Sequence, residues 1–362
     1  MFKLTYMDIK YKINWQVDIE GEALQIEPVL FQLLFFIQQK GSLKKATEQT
    51  EVSYRYAWGL LNKWQQRLGK LVILEPGRGA HLSEIGEKLL NTNRQLLARF
   101  SPELDNFATE TKRELHALAQ HSDTSSLNIF ASHGLAVSTL RQLINQQSDF
   151  NLDLHFHGSL ECLRALDEGN CDIAGFHIPI GSLAKPLIPQ YLDVLSSENH
   201  QLIYVIKRNQ GLMFPAGNPN KISSLHTISN KNLRFVNRQN DSGTRLLFDQ
   251  LLHDNALTAR QINGYEHEEF THMAVAALVT SGVADVGFGI APVAEKFNLE
   301  FLPLVWEHYC LAVPNSIMND PRVNQIIALL QSQQFAHSLE NTSGYQTDLS
   351  GQKVSFESIF EH

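Results

Sequence analysis

Leu233-Arg234-Phe235-Val236-Asn237-Arg238, followed by Ser242-Gly243-Thr244 and the run Arg245–His253, sets the fold of the last two-thirds of the chain. It is an alternating apolar strand, a turn of small hydroxyl-bearing residues, and then a helix. The same order occurs upstream. Leu127–Ala131 ends in Ser132-His133-Gly134 before Leu135–Gln146, and Leu152–His157 ends in Gly158-Ser159 before Leu160–Asp167. Successive strand–turn–helix units predict an α/β fold with mainly parallel strands. Ligands of such sheets collect at the carboxyl ends of the strands. A helix that starts there offers unpaired backbone N–H groups and a positive dipole end to an anion, and Ser or Thr hydroxyls add donors.

An internal repeat points to two lobes on one plan. Leu160 to Gly169-Asn170-Cys171-Asp172-Ile173-Ala174-Gly175 resembles Met273 to Gly282-Val283-Ala284-Asp285-Val286-Gly287-Phe288, each a helix, a Gly-x-x-Asp and a small-residue strand. The whole chain has 362 residues, 43% hydrophobic and 19% charged, which suits two or three globular domains and excludes disordered or fibrous classes. Three cysteines, Cys162, Cys171 and Cys310, make no even framework. Residues 1–22 lack the apolar segment of a secretory signal, and no apolar run approaches the roughly 20 residues that span a bilayer. The expectation is a cytoplasmic protein.

The net charge of −8 is unevenly spread. Residues 1–120 carry 16 basic and 14 acidic side chains, while the remainder nets −10. Lys40–Ala80 alone holds 8 basic against 3 acidic residues, a basic island fit for a polyanion. Within it, Ser42 caps a short helix over Lys44–Gln49, and Ser53 caps a second over Tyr54–Leu68. The second has a core face of Ala57, Leu60, Leu61, Trp64 and Leu68. Upstream, Pro28 opens a buried helix that stops at Lys40-Gly41. Downstream, Leu71–Leu74, Pro76-Gly77-Arg78-Gly79-Ala80 and His81-Leu82-Ser83 predict a β-hairpin. Two helices across a tight turn followed by a hairpin match a winged helix-turn-helix.

These residues resemble the winged helix-turn-helix of molybdate-dependent repressors, a branch of LysR-type domains. The resemblance rests on Gly41-Ser42-Leu43 with Ala46, Ser53-Tyr54-Arg55-Tyr56-Ala57-Trp58, and Gly77-Arg78-Gly79-Ala80 with Ser83 and Gly86, and covers residues 5–100. It implies that Ser53, Tyr54, Arg55 and Tyr56 begin a recognition helix on a double-stranded DNA operator, with Arg78 at the wing tip. Lys44 and Lys45 join that contact set, whereas Trp58 is expected to pack inside. The following helical pattern, Ser83–Leu118, is interrupted by Pro102 and is the expected linker and homodimerisation element. The expected division is 1–82 winged helix-turn-helix (α+β), 83–122 linker, 123–345 sensor, and 346–362 a C-terminal tail.

The sensor carries a second resemblance. Gln210-Gly211-Leu212, Gly217-Asn218-Pro219, Phe235-Val236-Asn237-Arg238-Gln239 with Ser242-Gly243-Thr244-Arg245, Gly264-Tyr265, Thr271-His272 and Ser281–Ile290 look like the periplasmic-binding-protein-like domain of molybdate-type sensors. The resemblance implies an α/β two-lobed type II periplasmic-binding-protein-like domain whose lobes close on molybdate or tungstate, held by neutral hydroxyls and amides. The ligand contacts it implies are Ser132, His133, Ser159, Ser242, Gly243 and Thr244, with Thr271 and His272 behind them. Arg238 faces either the anion or an ion pair, and Arg245 is expected to pair with Asp249 one turn on. The chain departs from the molybdate-dependent repressors in lacking their small oligonucleotide-fold sensor domains. A small organic acid or a molybdenum-cofactor fragment is therefore the alternative effector, and an oxyanion-storage protein the alternative class.

His155 and His157 alternate on a strand and share a side, facing the expected cleft. With His177 they make no metal-ligand spacing, so no protein-bound metal and no cofactor are expected. Nor does the chain hold a Gly-x-Ser-x-Gly elbow or a phosphate loop. The expectation is a regulator, not an enzyme.

Overall fold

A computed structural model describes residues 9–75, 79–118, 126–148, 150–240, 242–340 and 342–361. The chain divides into a smaller compact unit, Lys12–Ala98, and a larger one built on Arg99–His362. Arg78, and most of the expected boundary segment at 116–126, lie outside the described residues.

The smaller unit opens with a hairpin, β1 (Trp15–Ile19) and β2 (Glu22–Ile26), which the sequence reading did not resolve. Three helices follow: α1 (Pro28–Lys40), α2 (Leu43–Gln49) and α3 (Tyr54–Leu68). Pro28 sits in the first turn of α1, and Gly41 ends it in the left-handed conformation at φ 63°. Ser42 Oγ accepts from Lys45 N, and Ser53 Oγ from Tyr56 N, so both expected caps form. Strands β3 (Val72–Glu75) and β4 (Gly79–Leu82) pair antiparallel, Val72 against Leu82. Trp64 is fully buried with Ala57, Leu60 and Leu61, and its indole N–H donates to Glu27 at 2.7 Å.

The expected break at Pro102 does not occur. Helix α4 runs unbroken from Glu84 to Leu118 with Pro102 inside it. A proline removes one hydrogen bond, here the one to the carbonyl of Ala98, and bends a long helix without ending it. The boundary between the two compact units falls beside that carbonyl, between Ala98 and Arg99. Beyond it α4 belongs to the larger unit. Asn106 bonds the backbone of Phe156 in both directions, at 2.7 and 3.1 Å, and Thr109 donates to Leu154 O.

The larger unit is one mixed sheet covered by helices. In chain order its elements are β5 (Ser126–Ala131), α5 (Leu135–Gln147), β6 (Asn151–Phe156), α6 (Ser159–Asp167), β7 (Ile173–Pro179), α7 (Ile188–Leu192) and β8 (His200–Pro215). Next come α8 (Leu225–Asn230), β9 (Phe235–Arg238), α9 (Gly243–Asp254), β10 (Glu268–Glu269), α10 (His272–Thr280), β11 (Val286–Ile290), α11 (Ala291–Lys296) and β12 (Leu299–Pro314). The chain closes through α12 (Pro321–Leu330), α13 (Gln333–Glu340), β13 (Tyr345–Gln346), β14 (Lys353–Val354) and α14 (Phe356–Phe360). The expected C-terminal tail is part of the fold: β14 pairs with Leu202 and Ile203 of β8, and Ile359 and Phe360 are buried. Their burial removes apolar surface that a free tail would leave in water.

Strand order is β10-β9-β11-β8-β12-β7-β5-β6. From either edge the pattern is the same: a parallel pair, a third parallel strand, and then one of two long antiparallel strands. Each half is thus a lobe, and β8 and β12 serve both. The internal repeat is real at atomic detail. Gly169 and Gly282 turn at φ 72° and 73°, and three residues later Asp172 and Asp285 each exchange backbone and carboxylate bonds with their lobe's first strand. Asp172 N donates to Asn128 O and its carboxylate accepts from Asn128 N, both at 2.8 Å. Asp285 does the same with Arg234, at 2.8 and 2.9 Å.

The equivalence has a measurable consequence. Asp172→Ala and Asp285→Ala should each lower stability by about 1.5–3 kcal/mol, the worth of a charged hydrogen bond. Because they clamp different lobes, the losses should add in the double variant. Urea denaturation of the three variants checks this, and strong non-additivity counts against independent clamps.

Candidate ligand-binding cleft

The carboxyl ends of both sets of parallel strands open on one cleft of about 470 Å³. All nine residues named from the sequence line it: Ser132, His133 and Ser159 from one lobe, and Arg238, Ser242, Gly243, Thr244, Thr271 and His272 from the other. Helices α5 and α6 start there at Gly134 and Gly158, neither with a side-chain cap. Their first-turn N–H groups therefore lack intrahelical acceptors, and they stand where an anion would be held. Across from them, α9 and α10 begin at Ser242 and Thr271. The lobes come close at these starts: a Cβ added to Gly243 would stand 3.9 Å from Ser159 Oγ.

The hydroxyls are less available than the sequence implies. Ser242 Oγ donates to Gln239 O and accepts from Arg245 N, and Thr271 Oγ1 accepts from Ala274 N. Ser159 Oγ accepts from His177 N at 3.1 Å. These side chains cap helices or pin strands, so what they bring to the cleft is mainly a positioned backbone.

Charge also enters from residues outside those nine. Arg208 and Gln210, on β8, and Glu307, on β12, are all buried on the cleft floor. Arg208 Nε bonds Glu307 Oε1, and Gln210 Nε2 donates to Glu307 Oε2 at 2.6 Å. Cross-strand register places Arg208 directly opposite Glu307. Arg238 donates to two neutral oxygens, Phe270 O at 2.9 Å and Gln239 Oε1 at 3.0 Å. Among the described residues no ion pair involves it, and burial followed by the Arg208 charge lowers its pKa to about 9. Arg245 makes the expected pair with Asp249, at 3.5 Å, and a closer one with Glu268 at 2.9 Å.

The imidazoles report the local field. Burial, then Arg238 and Lys296, depress His133 to about 4. His177 and His272 lie well below the usual histidine range, first through burial and then through Arg208 and Arg238. All three line the cleft as neutral rings. His157 reaches the rim, stacks on Phe130 and bonds Glu161 at 2.7 Å, while His155 lies tilted against Phe130 and is not part of the lining. Among the described residues no group of three His, Cys, Asp or Glu side chains could hold a metal ion.

On the smaller unit, Lys44, Lys45, Ser53, Tyr54, Arg55 and Tyr56 are all exposed. Trp58, expected inside, is 40% exposed and stacks on Tyr54 at 6.5 Å, because the core side of α3 is filled by Trp64.

A depressed histidine binds fewer protons in the native state than in the unfolded one. Stability is therefore complete above the unfolded value near 6.5 and falls as pH drops below it. Thermal melts from neutral pH down to about 4 should show this fall, and His272→Gln should flatten it. A profile unchanged by the substitution assigns the acid sensitivity elsewhere.

A family model described as "PBP superfamily domain" matches residues 140–331. The uncharacterized protein YvgK of Bacillus subtilis (strain 168) is 30% identical over 199 residues, 55% of this chain and 64% of that protein. The chain thus spans just under two-thirds of that relative's length. An uncharacterized protein from the ferredoxin 2Fe-2S gene 5′ region of Clostridium pasteurianum is 31% identical over 110 residues, 30% of this chain and 97% of that protein. Among solved structures, a peroxide-bound mutant of OxyR from Corynebacterium glutamicum is similar at 13% identity and TM-score 0.45, covering 88% of this chain and 95% of that one. CbnR, a LysR family transcriptional regulator, is similar at 11% identity and TM-score 0.39, covering 83% and 98%. An ABC-type phosphate transport receptor from Vibrio cholerae is similar at 15% identity and TM-score 0.43, covering 60% and 98%. With half the chain matched by the family model, and with paired lobes around a cleft, the protein belongs to the PBP superfamily.

Proposed function

We propose that the chain is a one-component transcriptional regulator. Its smaller unit acts as a winged helix-turn-helix on double-stranded DNA, and its cleft senses a small anion. The observation that carries the sensing half is the meeting of four helix starts, two without side-chain caps, in a cleft where burial, reinforced by nearby cations, keeps three histidines neutral. The resemblance of the motifs puts molybdate or tungstate first among ligands. A small organic acid or cofactor fragment is the second reading, favoured by the cleft volume of about 470 Å³, which exceeds what one tetrahedral ion fills.

The DNA half rests on α3. Its N-terminal turn projects Tyr54, Arg55 and Tyr56 outward, where base edges or phosphates are met, and Lys44 and Lys45 of α2 add phosphate contacts. Arg78 is proposed for the wing. Helix α4 begins in the smaller unit and lends Arg99, Pro102, Glu103 and Asn106 to the cleft wall, so a ligand meets the connecting helix directly. Binding switches the regulator if one arrangement of the lobes takes the ligand better than the other. A homodimer would place two recognition helices on successive half-sites.

Two variants separate the halves. Arg55→Ala should weaken operator binding roughly 10-fold or more, as loss of one specific side chain does, and leave ligand affinity intact. Arg238→Ala should abolish anion binding while the ligand-free protein still binds DNA. Calorimetry with molybdate, tungstate and sulfate, beside gel-shift assays on genomic fragments, reads both. Binding of DNA by neither wild type nor variants leaves the storage class standing.

A further inference from the structure

The cleft floor contains acceptors that a bare oxyanion does not satisfy. Glu307 fixes the orientation of the Gln210 amide, because only the NH2 end can donate to a carboxylate. Gln210 Oε1 is consequently the free end, and it is buried without a hydrogen-bond partner on a residue 1% exposed. Beside it, His177 Nδ1 is also buried and unbonded, 3.5 Å from Glu307 Oε1, and His272 Nδ1 is buried and unbonded in the same cleft. Neutral imidazole nitrogens take or give one proton according to tautomer, but an amide oxygen only accepts. An unsatisfied buried acceptor costs about 1–3 kcal/mol until something donates to it.

The two ends of the cleft therefore differ in kind. The helix starts and Arg238 present donors to an anionic group. The floor holds two acceptors, the Gln210 carbonyl and the Glu307 carboxylate, and beside them the Arg208 guanidinium, whose Nε is taken by Glu307. Molybdate, tungstate and sulfate are acceptors all round, and an acceptor placed against Gln210 Oε1 is repelled. We infer that the ligand of this cleft carries an O–H or N–H donor besides its anionic group: a hydroxy or amino carboxylic acid, or an oxyanion that keeps a proton. The inference rests on the cleft being the ligand site and chooses among its ligands.

The test is calorimetric titration of the full chain at mildly alkaline pH with dianions of similar shape. Phosphate there keeps one proton, whereas sulfate and molybdate have none. Two carboxylates of similar size, lactate with its hydroxyl and propionate without, form the organic arm. The expected result is that the donor-bearing member of at least one arm binds on the order of 10- to 100-fold tighter than its partner. Which arm shows it identifies the source of the shared chemistry. Gln210→Met, which keeps length and removes both polar atoms, should shrink that ratio towards one. Arg238→Ala should abolish the binding of every anion alike. Molybdate or sulfate binding as tightly as phosphate, with propionate equal to lactate and all lost in Arg238→Ala, overturns this inference and leaves the anion cleft in place. Silence of the wild-type chain towards all five overturns both.

Discussion

The ladder between β8 and β12 is the constraint on which the larger unit depends. Each strand is 16 residues long, and they pair from His200–Pro314 at one end to Pro215–Leu299 at the other. One half of β12 adds β7, and the opposite half of β8 adds β11, so each lobe borrows an edge from the same two strands. Register shifts at Pro303/Val305 and Tyr309/Cys310 break the regular alternation. Such irregularities re-aim side chains and increase local twist. Between them sits the Arg208–Glu307 pair, on the cleft floor, where a one-residue slip of either strand would put the two charges on opposite faces.

That pair explains why the floor tolerates burial. A guanidinium and a carboxylate removed from water are costly alone and acceptable together when their remaining atoms are bonded. Glu307 spends its oxygens on Arg208 and Gln210, with His177 close by. Arg208 is paired with Glu307, whereas Arg238 is bonded only to neutral oxygens. This differs from a cradle of neutral hydroxyls and amides, the arrangement that resemblance implies for molybdate. Ser242 and Thr271 supply caps, while the guanidinium supplies the charge.

How much of this was legible follows from where the chemistry lies along the chain. The strand-turn-helix junctions are local, so Ser132-His133-Gly134, Gly158-Ser159 and Ser242-Gly243-Thr244 announced the cleft from one side and the other. The Gly-x-x-Asp repeat was legible for the same reason: glycine supplies the left-handed turn, and aspartate the clamp, within four residues. The long strands were not. In His200–Pro215 the polar run Lys207-Arg208-Asn209-Gln210 interrupts an apolar segment, so no continuous strand pattern stands out, though three of the four are buried. Those side chains are buried because a partner 97 to 99 residues away satisfies Arg208 and Gln210, and no periodicity contains that partner. Trp58 failed for a different reason: it lies off the face Ala57, Leu60, Leu61, Trp64 and Leu68 that helical spacing picks out, and it stacks on Tyr54 at the surface instead.

The proposed binding of an anion by an acidic chain is not a contradiction. The residues after 120 net −10, yet those charges are mostly at the surface, where salt screens them over roughly 8 Å. Within the cleft the effective dielectric is lower, and a unit charge at 4 Å acts with several-fold the strength it has in bulk water. Nearby cations therefore count for more than distant carboxylates, and they add to burial, the larger cause, in depressing His133, His177 and His272. The same separation of scales works in reverse for a long polyanion. DNA sums charge over many ångströms, so under the proposed function it would be repelled by the net-negative larger unit and attracted by the basic stretch Lys40–Ala80. A small anion and a duplex can thus be sorted to different units of one chain by distance alone.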